Sequence, residues 1–190
     1  LDAAELEAMT GSVALANQLE QAFKEADLPA TDENIATSIE AFEQLQMLQP
    51  MTDGAIKYML DNQLQPTIEN LYIAQFSGSA GYTGQTVENM EQLSGQIQNM
   101  LSSMGLPVNE NTMADCQWLI QNDVPLTEEN LTYYEDLKTL ELPTDPSQAM
   151  GQIADAITEG NMPKDAMVAE GYSLKDQAQY AADVIENAKD

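Results

Sequence analysis

The chain has 190 residues, enough for one globular domain or two small lobes, and 43% of them are hydrophobic, enough for a packed interior. Its formal charge is −26: 32 Asp plus Glu face six Lys (Lys24, Lys57, Lys138, Lys164, Lys175 and Lys189), with neither Arg nor His. Nucleic-acid binding depends on cations that neutralise phosphates, so this composition excludes DNA, RNA and anionic membrane surfaces as partners and favours another protein, with basic partners the natural match.

The missing residue types also limit chemistry. Without His there is no Ser-His-Asp triad and no Cys/His nucleophile pair, and without Arg there is no arginine clamp on phosphate or carboxylate. The single cysteine, Cys116, excludes an internal disulfide and a structural zinc site. It falls on a helical stripe with Met113 and Ile120, where a buried, inert thiol is expected. The chain has no Gly-rich phosphate loop, no GxSxG elbow and no EF-hand pattern, so no catalytic residue, metal site or cofactor is assigned. No segment approaches the roughly 20 apolar residues that span a bilayer, so membrane insertion is not expected. The chain opens on Leu1 rather than Met, which leaves room for an upstream segment and leaves the compartment open between bacterial cytoplasm and a cell-surface or flagellum-associated site.

In chain order, the strongest signals are helix starts. Asp2 with Glu5 opens the first. The pattern Thr, any residue, Glu, Asn, apolar then occurs four times: Thr31 to Ile35, Thr67 to Leu71, Thr86 to Met90 and Thr127 to Leu131. Looser versions run from Thr52 to Ile56 and from Asn109 to Met113. A Thr or Asn at the N-cap accepts hydrogen bonds from the first free amides, and the acids that follow suit the helix dipole. Asp145 with Pro146 and Ser173 with Asp176 add two more starts. Pro29, Pro50, Pro66, Pro107, Pro125 and Pro143 each lie one or two residues before a cap and end the preceding element. Apolar residues recur at helical spacing, as in Leu15, Leu19, Ala22 and Phe23, in Ile35, Ile39, Phe42 and Leu45, and in Leu93, Ile97, Met100, Leu101 and Met104.

These starts repeat. Leu19 to Thr31 aligns without a gap to Ile97 to Asn109, and Pro50-Met51-Thr52 aligns to Pro125-Leu126-Thr127 after a three-residue offset. The expected fold is therefore all-α, a tandem repeat of about 8 to 10 short capped helices forming a bundle or short solenoid. The expected division is copy 1 with an N-terminal helix over 1–77, a Gly/Ser-rich linker or loop over 78–85, copy 2 over 86–160, and a C-terminal helical cap or partial third copy over 161–190, possible also as one compact domain. In the last part, Met162-Pro163-Lys164-Asp165 echoes Leu28-Pro29-Ala30-Thr31.

The run TDGAIKYMLDNQLQPTIENLYIAQFSG, ending at Gly78, and the later WLIQNDVPLTEENLTYYEDL resemble segments of an uncharacterised family from clostridia and related Firmicutes, with partial similarity to regions of flagellar hook-length control proteins. The resemblance implies a bacterial origin and brings no activity and no functional residues.

The function expected from these features is a non-enzymatic helical-repeat module for protein interaction or structure. The alternatives are a small-ligand or calcium-binding acidic surface protein and a flagellum-associated segment of a larger protein. Tyr and Trp are favoured interface anchors, and Tyr72, Phe76 and Tyr82, beside and within the Gly/Ser stretch, are the candidate partner-binding residues.

Overall fold

The computed structural model describes residues 3–168, and the expected starts at Asp2 and Ser173 lie outside them. The fold is all-α. Nine α-helices are present among the described residues: α1 Ala3–Thr10, α2 Val13–Glu25, α3 Asp32–Met47, α4 Asp53–Asp61, α5 Ile68–Ile73, α6 Met90–Ser103, α7 Glu110–Gln121, α8 Glu128–Lys138 and α9 Pro146–Thr158. A π turn, Ala74–Gly78, continues α5, and a 3-10 turn, Pro163–Asp165, follows α9.

The Thr-x-Glu-Asn motif has a structural meaning in which both of its polar ends take part. Thr31, Thr67 and Thr127 each accept through Oγ1 from the amide of the Asn three residues on. Each Asn then donates its side-chain amide to the carbonyl five residues back: Asn34 to Pro29 at 3.1 Å, Asn70 to Gln65 at 3.0 Å and Asn130 to Pro125 at 2.8 Å. Asn109 and Thr112 form a reciprocal capping box, and Thr112 reaches back to the Pro107 carbonyl at 2.8 Å. The motif thus locks a proline-bearing entry onto the helix it starts. Thr52 and Asp145 also cap as expected. Thr127→Ala removes the hydroxyl that receives the Asn130 amide and should cost about 1 kcal/mol, read from urea denaturation.

Thr86 does not start a helix, and this expectation is corrected. Residues 82–87 are irregular, and α6 begins at Met90 after Asn89, which has φ 65 and makes no side-chain cap. Gly84 stands two residues before Thr86, and no proline lies one or two residues before it as one does at Thr31, Thr52, Thr67 and Thr127, so nothing presets the entry. Glu88 consequently precedes the helix, and Glu91 takes the first turn. A start that the apolar periodicity does not reveal is Ser12, which follows Gly11 and accepts from the Leu15 amide at 3.0 Å.

Helix exits are as regular as the entries. At the ends of α2, α4, α6, α7 and α9 the chain turns through a left-handed residue, Asp27, Gln63, Gly105, Asp123 or Gly160. The next amide then returns to the carbonyl five residues earlier, as in Leu28 to Phe23 at 2.9 Å and Leu106 to Leu101 at 2.9 Å. A proline follows within one or two residues of each of these amides.

The helices form two compact units. The first comprises the described parts of Leu1–Pro50, Gln65–Ile73 and Glu141–Asp190. In it α9 packs on α2 and α3, α3 packs on α5, and the 3-10 turn sits against α3, α5 and α9. Leu19, Ile35, Phe42, Leu71, Met150 and Ile153 are buried in it. An isolated antiparallel bridge joins Thr67 and Met167, with Ile68 donating to the Ala166 carbonyl and Val168 to the Pro66 carbonyl. Asp165, placed by the echo of Leu28 to Thr31 at a cap position, instead ends the 3-10 turn, and the chain runs on extended to Val168.

The second unit comprises Met51–Leu64 and Ala74–Leu140. Within it α4 packs on the π turn and α8, while α7 packs on α6 and α8. Met59, Ile97, Leu101, Leu119, Tyr133 and Leu137 are buried there. Met100, placed by the sequence on the apolar stripe of α6, is exposed, and Ile97 and Leu101 carry the buried face. Packing therefore cuts across chain order, because α4 joins helices from 90–138 while α9 joins helices from 3–73.

Candidate functional site

The polar groups with the most perturbed surroundings lie in the second unit, on α7 and α8. Asp115 sits on the buried side of α7 beside Cys116, Trp118 and Leu119, and its side chain is only 6% exposed. Lys138, at the end of α8, meets Asp115 Oδ1 at 2.7 Å, Glu135 Oε2 at 2.9 Å and Asn111 Oδ1 at 3.2 Å. Those three oxygens account for the three donor positions of an ammonium. Glu135 Oε2 is buried, and the ammonium at 2.9 Å compensates its charge. The lysine also lies 5.4 Å from the centre of the Tyr134 ring, which stacks on Trp118 at 4.4 Å.

Burial pushes the Asp115 carboxyl above its ordinary range, and the Lys138 hydrogen bond offsets only part of that. Glu135 moves the other way, held low first by Lys138 and then by Asp115. Burial acts to lower Lys138, but hydrogen bonds to the two carboxyls outweigh it and its pKa is raised. Two carboxyls driven apart are the pattern of an acid/base pair, yet here each shift has a structural origin in burial or in the shared lysine. The Cys116 thiol is fully buried and pushed up by burial, with Asp115 adding to the effect, which makes it a poor nucleophile. Tyr134 is pushed up to about 12, mainly by burial.

A cleft of ≈ 250 Å³ opens beside this cluster. Leu101, Leu106 and Leu131 line it together with the carboxylates of Asp115, Glu135 and Asp136. Among the described residues, no group of three or more Cys, Asp or Glu side chains is arranged to hold a metal ion.

A second polar network ties the Gly/Ser stretch into the same unit. Tyr82 donates to Asn122 Oδ1 at 2.7 Å, Lys57 donates to the Asn122 carbonyl at 2.7 Å, and the Asn122 side chain donates to the Trp118 carbonyl at 2.8 Å. Trp118 Nε1 donates to Asp53 Oδ1 at 3.1 Å, and the Tyr133 hydroxyl donates to the Leu64 carbonyl.

The three aromatics singled out from the sequence part company. Tyr72 is half-buried in the first unit, whereas Phe76 and Tyr82 belong to the second. Phe76 is 50% exposed on the π turn, while the Tyr82 hydroxyl is committed to buried Asn122. Asp115, Glu135, Lys138 and Asn122 were not among the candidates. The readable signals were an acid next to Cys116 on an otherwise apolar helix face and a lysine, one of six in the chain, three residues after a glutamate at a helix end.

The profile of a protein family described as "Family of unknown function (DUF6240)" matches residues 4–187. The chain belongs to this family. Searches of curated proteins and of solved structures returned no match. The family match spans both packing units, so the interleaved arrangement lies within the family region. No helix among the described residues is long and apolar enough to cross a membrane.

Proposed function

We propose that this DUF6240 chain is a non-enzymatic helical module that binds another protein through its acidic surface or forms a structural segment of a larger assembly. The observation that carries the reading is the placement of its cations. Each lysine among the described residues lies within 4.0 Å of a carboxylate: Lys24 with Glu20, Lys57 with Asp61, Lys138 with Asp115 and Glu135, and Lys164 with Glu69. The few positive charges are thus neutralised locally, and the excess of acids faces outward, where it attracts a basic surface over about a Debye length. Phe76 offers an apolar anchor on the same chain, and the resemblance to a family from clostridia and related Firmicutes, in parts to flagellar hook-length control proteins, favours a bacterial and flagellum-associated setting.

Affinity capture from the source cells, with the full chain as bait at low and moderate salt, tests this. A basic protein is expected whose retention falls steeply with NaCl and falls further with Phe76→Ala, a change that leaves the Tyr82 to Asn122 bond in place. A partner whose binding ignores salt would count against the acidic surface, and an empty capture against the interaction role. The cleft beside Asp115 and Glu135 favours a second reading, a small-ligand or calcium-binding acidic surface protein. A rise in melting temperature with millimolar calcium but not magnesium is its signature.

A further inference from the structure

Each half of the sequence supplies a helix that helices of the other half need. From 1–84 comes α4, which buries Ala55, Ile56, Met59 and Leu60 and packs on α8. From 85–190 comes α9, which buries Ala149, Met150, Ile153 and Ala154 and packs on α2 and α3. Cutting between the halves would uncover the side of α4 that meets α8 and the face of α9 that meets α2 and α3, while α4 would keep its packing on the π turn of its own half. The segment that joins the halves, 83–87, is irregular, Thr83, Gly84, Gln85 and Thr86 are exposed, and a side-chain carbon added at Gly84 would meet no atom within 4 Å.

We propose that this exchange surface also accepts a second copy of the chain, giving a domain-swapped dimer in which 85–190 of one molecule complete the units begun by 1–84 of another, with 83–87 as the hinge. The contacts of such a dimer are those of the monomer, so the exchange needs no new surface complementarity, only a hinge that opens. A chain-contiguous repeat would behave otherwise, because each copy would bury its own helices and present none to a partner.

Two altered forms of the whole 190-residue chain test this. In the first, a protease site is inserted between Gly84 and Gln85 and the folded chain is cleaved. The halves are expected to co-elute in native buffer, to keep the Trp118 emission of the intact protein, and to separate only in denaturant. Halves that part in native buffer, each with its own cooperative melt, would overturn the proposal. In the second, Gly84, Gln85 and Thr86 are deleted, since a hinge too short to close within one molecule favours exchange between two. Light scattering is expected to report a dimer with native helicity, and a folded monomer would overturn the swapped dimer. If the deletion prevents folding, intact chains refolded at high and at low concentration decide the matter: a dimer that persists on dilution only after refolding at high concentration supports the exchange, and monomer from both overturns it.

Discussion

Replacing Lys138 by Met is expected to destabilise the second unit by about 2–3 kcal/mol at neutral pH. Removing one member of a buried ion pair costs about 3–5 kcal/mol because the other charge is left uncompensated, and the figure here is discounted because Lys138 and Glu135 are partly open to water. Methionine keeps the aliphatic stem and its packing while deleting the ammonium, so the loss reports the charge. The readout is direct: the chain has one tryptophan, Trp118, and it stacks on the Tyr134 ring beside which Lys138 lies. Urea denaturation followed by its fluorescence therefore senses this unit.

The penalty should also grow with pH. Asp115 has a raised folded pKa, so its ionisation lowers stability as pH rises from about 3.9, the unfolded value, through the folded one. Lys138 holds that rise in check, and without it the loss above pH 4 deepens. Glu135 has a lowered folded pKa, so the stability it contributes is present above about 4.3 and is lost as pH falls through its folded value. That contribution depends first on Lys138, and its removal is felt at neutral pH rather than at pH 3. Both carboxyls give the same sign, and Lys138→Met should approach wild-type stability in acid. The double variant Lys138→Met with Asp115→Leu removes both charges of that pair while leaving Glu135 unpaired, and recovery of part of the lost stability is expected; no recovery would show that the loss does not come from the stranded Asp115 charge.

What the sequence revealed was local, and what it hid was long-range. A cap is decided within six residues, so Thr31, Thr52, Thr67, Asn109, Thr127 and Asp145 were all readable as helix starts. Thr86 misled because its letters fit while its backbone, preceded by Gly84 and lacking a proline, was not preset for the turn. Asp115 was hidden for the opposite reason. Its burial is tolerable only because Lys138, 23 residues on, reaches it, and nothing near Asp115 announces that partner. Tyr82 was legible as an aromatic in a Gly/Ser stretch but not as a strut, because its partner Asn122 is 40 residues away. The exchange of α4 and α9 is likewise invisible to periodicity, which states that a helix has an apolar face without stating which helix covers it.

Gly78→Ala illustrates the same point and is expected to cost about 2–3 kcal/mol, lowering the melting temperature by on the order of 4–12 °C. By composition Gly78 belongs to a Gly/Ser stretch suited to a linker, where alanine would be neutral or slightly stabilising. In the fold it ends the π turn against α4, and a carbon added there would lie 2.5 Å from Cγ of Tyr58. Its backbone is outside the left-handed region, so the penalty is wholly steric. The nearest atoms are at the root of the ring, which cannot swing clear as the tip of a long side chain would. Relief must come from moving α4 or the π turn, and packed helices resist such movement. Gly84→Ala is the control, since its added carbon meets nothing within 4 Å, and it should leave stability unchanged or raise it by up to about 1 kcal/mol. Combining Gly78→Ala with Tyr58→Ala should cost less than the sum of the two single changes, because the clash vanishes with the ring. Additive losses, or a Gly78→Ala protein that melts with the wild type, would show that the turn does not rest on α4 and that the glycine serves only as loop.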